Sequence, residues 1–314
     1  MPERAALYRS LEEARGRFAP SSVTIGNFDG VHRGHAELLR RLRGRGGKPS
    51  VVTFDPHPTS VVAPHRAPRL MSTLERRVEL MAGRGIEQVL AIPFDREFSL
   101  LAPEEFARLV LVEAAGAVLV AVGDNFRFGH KQAGDTELLR RLGERLGFAV
   151  EVVPGVVWRG RPVSSSEVRR AVESGEVGLA ARLLERPYSL EGVVVSGHGV
   201  GSRSTVPTLN LATSCEVLPA RGVYVTRVRD LDAGRVWPSV TNVGFRPTFS
   251  GDALTIESFV LSGYSEPAPA RIAVDFLRRL RDERKFASPE ELKTQILRDA
   301  GRAVKFHRRI ARLS

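Results

Sequence analysis

For its first 186 residues the chain alternates two textures. Short, unbroken apolar runs at 22–28, 50–54, 88–93, 117–123 and 149–153 read as strands. Between them, stretches such as 74–82, 103–114 and 136–146 carry apolar residues every three or four positions and read as helices. A strand with no polar face must be covered on both sides, and strands alternating with helices of this length make βαβ units. Residues 1–186 are therefore expected to fold as an α/β domain on a parallel sheet.

After Tyr188 the texture changes. Runs at 188–195, 222–228, 236–243, 255–261 and 271–277 are strand-like, separated by turn residues with no long helical pattern between them. That pattern predicts a small antiparallel barrel or sandwich over residues 187–314. A helix closes the chain. Ser288 is placed as its N-cap, Pro289 as its first residue and Glu291 as the partner in a capping box, with the helix running to about Arg312. Residues 164–185 read as two short helices ending the first domain.

Composition removes several classes of protein. Cys215 is the only cysteine, so neither a disulfide framework nor a zinc–thiolate site within one chain is possible. No apolar run approaches the roughly 20 residues of a membrane span, and the charged N-terminus lacks the apolar core of a signal peptide. The expectation is a cytoplasmic protein that does not engage a membrane. The net charge is +11, from 28 basic against 23 acidic residues up to Arg186 and 19 against 13 beyond. A positive field spread over both halves suits polyanionic small molecules as well as nucleic acid. With 7% aromatic residues and no nucleic-acid-binding signature, the nucleic-acid reading has only the charge behind it.

The opening strand leads into Gly26-Asn27-Phe28-Asp29-Gly30-Val31-His32-Arg33-Gly34-His35. Ligands of open α/β sheets bind at this carboxyl edge. Glycine lets backbone come close to a ligand, and a helix N-terminus offers N–H groups to phosphate. His32 and His35 share one face of a helical turn and could donate hydrogen bonds to a phosphoryl group as it gains charge. By residue type alone they could equally be surface or capping histidines. A metal site would lack a third ligand.

The H-x-G-H pattern after a G-x-F-D-G turn resembles the adenylyltransferase module of the bacterial bifunctional riboflavin kinase/FAD synthetases. Further motifs follow in that family's order: Thr53-Phe54-Asp55-Pro56-His57-Pro58, then Gly123-Asp124-Asn125-Phe126-Arg127-Phe128-Gly129, then Ser164-Ser165-Ser166-Glu167-Val168-Arg169. Ser166 stands where the family has threonine. The resemblance implies a Rossmann-like nucleotidyltransferase domain. In it Gly26, Phe28, Asp29, Gly30, Gly34, Ser164, Ser165, Ser166 and Arg169 handle nucleotide and phosphate, and His32 and His35 act in catalysis. It assigns Asn125, Phe126 and Phe128 to the flavin side. Read as residues alone, Asn125 is turn chemistry, the two phenylalanines are core, and Ser164 is an N-cap.

The second half resembles the same family's riboflavin kinase module. Gly197, Gly199 and Gly201 lie in a glycine-rich loop that fits neither common nucleotide-binding fingerprint. Pro207-Thr208-Leu209-Asn210 resembles the family's P-T-A-N motif, which implies that Thr208 and Asn210 bind Mg²⁺ and nucleotide phosphate. Asn242-Val243-Gly244-Phe245-Arg246-Pro247-Thr248-Phe249 resembles its N-V-G-x-R-P-T-F segment, with Arg246 on the flavin side. Glu257 falls where the family has its catalytic glutamate. Without the resemblance, Thr208 and Asn210 read as turn residues and Glu257 as an outward strand residue. Ser204-Thr205-Val206 replaces the family's L-G step before the P-T-A-N motif, and Ser265-Glu266-Pro267-Ala268-Pro269-Ala270 replaces a D-L-Y-G turn.

The resemblance spans about residues 21–312 and implies two reactions. ATP would phosphorylate riboflavin to FMN, and adenylyl transfer from a second ATP would give FAD and pyrophosphate, with Mg²⁺ as the metal. No nucleic acid, membrane or obligate protein partner is implied. The altered loop before Pro207 keeps open a protein that has only the adenylyltransferase activity, beside a decayed barrel.

Overall fold

The structure is a computed structural model and describes residues 4–18, 20–195, 208–248, 251–264 and 267–312. The loop glycines Gly197, Gly199 and Gly201 lie outside the described residues. The chain divides into two compact units, Met1–Ser165 and Ser166–Ser314.

The first unit is built on strands β1 (Ala6–Tyr8), β2 (Ser21–Ile25), β3 (Lys48–Asp55), β4 (Gln88–Pro93), β5 (Ala117–Gly123) and β6 (Ala149–Val153). They form a sheet in the order β1-β4-β3-β2-β5-β6, parallel at every pairing. Between and before them run α1 (Leu11–Ala14), α2 (Arg33–Arg41), α3 (Pro58–Val62), α4 (Leu74–Ala82), α5 (Pro103–Phe106) and α6 (Thr136–Leu146). α5 continues into a wider helical stretch, Ala107–Ala114, after which the Ala115 amide reaches back five residues to Val110. Alternate strand residues feed two apolar layers. Val52, Phe54, Leu90, Ile92, Val120 and Val122 face one side, and Val51, Val89 and Ala121 face the other with Leu39, Leu42 and Met81. Coverage of both faces is why the strands carry no polar alternation.

Three local features depart from the pattern expected. β1 is an edge strand of three residues, too short to show a period. β2 stops at Ile25 and does not continue to Phe28, because Phe28 takes a φ of 50°. A small hairpin, β7 (Val157–Trp158) and β8 (Arg161–Pro162), turns on Arg159 and Gly160, both at positive φ, as a two-residue hairpin requires.

The second unit opens with α7 (Ser165–Glu173, its first residue still in the first unit) and α8 (Val177–Leu184). α8 packs against two strands of the barrel that follows. These helices thus group with the barrel, whereas the division expected from the sequence fell after Arg186. Strands β9 (Tyr188–Val195), β10 (Thr208–Thr213), β11 (Gly222–Asp230), β12 (Val236–Thr248), β13 (Gly251–Val260) and β14 (Arg271–Arg281) close an antiparallel barrel in the order β10-β13-β12-β11-β14-β9. β10 is a strand where the sequence suggested a turn. Its Thr-Leu-Asn start was read as turn residues, but pairing on both sides decides its conformation.

The barrel interior is partly polar. Thr226 bonds Ser239 at 2.8 Å and Thr241 at 2.7 Å, and Thr241 bonds Ser258 at 2.8 Å, so each buried hydroxyl finds a partner. On the outer wall, buried Asp275 accepts from Arg227, Arg229 and Ser189 across three strands. α9 (Pro289–Ala311) is capped by Ser288, whose Oγ accepts from the Glu291 amide at 3.2 Å, as the sequence predicts. Its Ala303 and Phe306 cover Val223, Val225 and Val240, and its buried Asp299 accepts from Arg281 at 2.8 Å.

His307 of α9 lies 2.9 Å from the Thr226 carbonyl, and burial holds it below the usual 6.5. The unfolded chain therefore takes up this proton at a higher pH than the folded chain. The stability that His307 contributes is full above about pH 7 and is lost as pH falls through 6.5 towards the lower folded value. Thermal unfolding measured at about pH 7.5 and about pH 5.5 should give a smaller difference for His307→Gln than for the parent. Equal differences would contradict this assignment.

Candidate active sites

The first site is built on the turn between β2 and α2. Phe28, Gly30 and Val31 have φ of 50°, 79° and 40°. Only the glycine adopts this region without strain, so the turn must be held by its surroundings. Asp29 is buried, and its carboxylate accepts from the Met71 amide at 3.0 Å and from the Ser72 hydroxyl at 3.2 Å. The Ser165 hydroxyl donates to the Asp29 carbonyl at 3.0 Å. Phe28 packs its buried ring on His35, at 4.8 Å between centroids. A side chain at Gly26 would meet the Phe28 ring at 3.2 Å.

His32 and His35 cap α2 reciprocally. The His35 amide donates to His32 Nδ1 at 3.2 Å, and the His32 amide donates to His35 Nδ1 at 3.3 Å. This is a capping box made of two imidazoles, stacked at 3.6 Å with 13° between planes. Each bond needs an unprotonated Nδ1, so each neutral ring carries its proton on Nε2 as a donor. A Cβ at Gly34 would come within 3.1 Å of the His32 ring, and so glycine there lets the ring lie over the helix start. The capping reading and the donor reading of these histidines are therefore compatible: capping fixes which nitrogen donates.

Topology fixes what lies beside them. β2 pairs with β3 on one side and β5 on the other, and the strand order reverses between β2 and β5. The crevice at such a reversal is the usual ligand position of an open α/β sheet. The turn after β5 supplies Asn125 and Phe126. Asn125 is exposed and Phe126 half-buried, with the Phe126 amide bonded to the Gly123 carbonyl at 3.1 Å. Phe128 is a core residue, 5% exposed and packed on Phe106 and Phe126. Ser164 is half-buried before α7. Ser166 is exposed and Arg169 half-buried, both in the second compact unit.

The second site lies on the barrel's outer wall. Leu209, Leu211, Ile256, Ser258, Thr241 and Val243 are buried, which turns the intervening residues of β10, β13 and β12 outward. Asn210 pairs in register with Glu257, and Glu257 pairs with Asn242. An amide, a carboxylate and a second amide thus stand side by side across three strands, with Thr208 two residues along on the same face. Gly244 stands on that face too. A Cβ there would collide with the Glu283 carboxylate and meet the Asn242 amide nitrogen at 3.1 Å. Arg246 lies in β12, paired with Ala253.

Sequence reasoning missed Glu283, which reaches the site from beyond β14, and the partnering of Asn242 with Glu257. Neither has a local signal: register joins Asn242 to Glu257, and the chain beyond β14 brings Glu283 beside Gly244. It also missed Arg77, which has one. Arg77 falls between Leu74 and Met81 on the apolar stripe of α4, where a charge is out of place.

Comparison with known proteins covers both units. A family model described as FAD synthetase matches residues 16–167, and one described as riboflavin kinase matches residues 184–307. A bifunctional riboflavin kinase/FMN adenylyltransferase of Pseudomonas fluorescens is 38% identical over 302 residues, covering 95% of this chain and 96% of that protein. Its counterpart in Escherichia coli K12 is 36% identical, with 90% and 92% covered. A crystal structure described as a macrolide-efflux protein from Streptococcus pneumoniae is similar at a TM-score of 0.83 and 26% identity, covering 95% of this chain and 97% of that one. That description concerns the other protein. Among the described residues here, no helix is long and apolar enough to cross a membrane.

Proposed function

The chain belongs to the bifunctional riboflavin kinase/FMN adenylyltransferase family, and from that membership we infer how its residues divide the work. The enzyme phosphorylates riboflavin to FMN and adenylylates FMN to FAD.

Adenylyl transfer belongs to the first site. The FMN phosphate attacks the α-phosphate of ATP, and pyrophosphate leaves. His32 and His35 donate from Nε2 to the oxygens that gain charge, and the positive end of the α2 dipole favours the same anion. The reciprocal caps carry this reading, because they fix both donors before substrate arrives. Gly26, Phe28, Asp29, Gly30 and Gly34 shape the turn, with Asp29 acting as an anchor from beneath. Ser164, Ser165, Ser166 and Arg169 bind nucleotide phosphate. Asn125 and Phe126 serve the flavin, and Phe128 serves it by supporting Phe126.

Phosphorylation belongs to the barrel. Glu257 accepts the proton of the riboflavin 5′-hydroxyl as that oxygen attacks the γ-phosphate of ATP and ADP leaves. Its register beside Asn210 and Asn242 carries this reading. The donor set there is oxygen throughout: the Thr208 hydroxyl, the Asn210 amide and the Glu257 carboxylate. It fits Mg²⁺, which takes few protein ligands and shares phosphate oxygens. Among the described residues no cluster of three or more His, Cys, Asp or Glu would hold a metal unaided. Thr208 and Asn210 would hold the ion, which supplies charge neutralisation on the phosphates when bound. Gly197, Gly199 and Gly201 bind the nucleotide, and Arg246 serves the flavin.

The two assignments separate by mutation. Glu257→Gln should abolish FMN formation from riboflavin while FAD formation from supplied FMN survives. Loss of both activities in folded protein would overturn the division. His35→Ala should slow FAD formation by about 10²–10³ and spare FMN formation, both followed by chromatography of the flavins. Unaltered FAD synthesis would remove His35 from the reaction.

A further inference from the structure

Arg77 is 3% exposed, on the face of α4 that packs under the sheet's carboxyl edge. Its Nη1 donates to the Asn27 carbonyl at 2.8 Å, to the Thr53 hydroxyl at 3.4 Å and to the Phe54 carbonyl at 3.5 Å. Its Nη2 meets the Asp55 carboxylate at 3.5 Å, and Asp55 is 45% exposed. Its Nε has no hydrogen-bond partner among the described residues. Burial lowers its proton affinity, offset only in part by Asp55 and Asp29.

This is a costly way to gain stability. A buried guanidinium does well with a close, bidentate carboxylate. Here the shortest bond goes to a neutral carbonyl, and the ion pair with Asp55 is long and half in water. An apolar side chain would pack the same stripe at lower cost. What the arrangement gains is position. Asn27 opens the strained turn that ends in His32, while Thr53, Phe54 and Asp55 end β3. One rigid fork therefore ties the ends of two neighbouring strands. Asn27 is held from its side chain too, because its amide lies 2.9 Å from His57 Nε2, and His57 Nδ1 accepts from the Thr59 amide at 3.2 Å. With Nδ1 accepting, the ring proton sits on Nε2; the structure turns Asn27 Nδ2 towards it, and exchanging the amide's nitrogen and oxygen satisfies the pair.

We propose that Arg77 is a positioning residue of the adenylyl-transfer reaction: it fixes the separation of the β2 and β3 turns, and thereby the placement of the His32 and His35 donors. The proposal rests on the assignment of those histidines as donors. Arg77 touches no substrate in this role. It also sets a permanent positive charge behind the strand ends where phosphate oxygens gather.

The test compares Arg77→Met, which keeps the apolar stem, with Arg77→Lys, which keeps the charge but loses the fork. For Arg77→Met, kcat for FAD formation from FMN should fall about 10- to 100-fold, with KM for ATP and FMN within about threefold of the parent. Arg77→Lys should fall between the two. Riboflavin phosphorylation by the same preparations should be unchanged, which a general folding defect would not allow. A kcat within about twofold of the parent, in Arg77→Met protein that phosphorylates riboflavin normally, would overturn the proposal. So would a loss confined to KM. Should Arg77→Met fail to fold, Arg77→Lys is judged by the same criteria. His35→Ala is measured alongside. If it too leaves FAD formation intact, the donor assignment has failed. If it abolishes FAD formation while Arg77→Met does not, only the role of Arg77 has failed.

Discussion

The first unit depends on two histidines that cap the same helix with each other's rings. A helix usually begins with a serine, threonine, aspartate or asparagine whose oxygen accepts the orphan amides. In α2 both acceptors are imidazole nitrogens, at 3.2 and 3.3 Å. The ordinary need to satisfy a helix start thus becomes a device that sets tautomer, ring plane and spacing. Catalysis by hydrogen-bond donors gains from groups already aimed, because nothing need reorganise as charge develops.

The surrounding structure serves that device. Gly34 leaves room for the His32 ring, and Phe28 supports His35 from below. The turn that delivers them is strained at Phe28 and Val31 and is held by buried polar contacts at Asp29 and Asn27. Two non-glycine residues at positive φ within four positions are a departure from local preference of the kind found where a fold trades stability for a site. The barrel follows another logic. Among the described residues, antiparallel register sets Asn210, Glu257 and Asn242 abreast.

Much of this was legible in the chain. The parallel sheet followed from unbroken apolar strands, and the closing helix from Ser288, Pro289 and Glu291. The histidines were marked by the H-x-G-H pattern, whereas Glu257 was marked only by the family resemblance. Three kinds of feature were not legible. Elements of two or three residues, such as β1 and the Arg159–Gly160 hairpin, carry no period to read. β10 hid behind turn composition, which strand pairing overrode, and Phe28 looked like strand until its backbone turned left-handed. Contacts distant in sequence, such as Arg77 on Asn27 or Glu283 beside Gly244, arise only from the folded topology. Of these, Arg77 alone left a trace, as a charge on an apolar stripe.

The most direct test of the account is the tautomer of the two histidines. Long-range ¹H–¹⁵N spectra of protein labelled with ¹⁵N-histidine would read it, with His32→Gln and His35→Gln assigning the signals. The account predicts that both rings carry a proton at Nε2 and none at Nδ1. A ring protonated at Nδ1 would mean that the reciprocal caps do not form and that the donors are not set by the helix start.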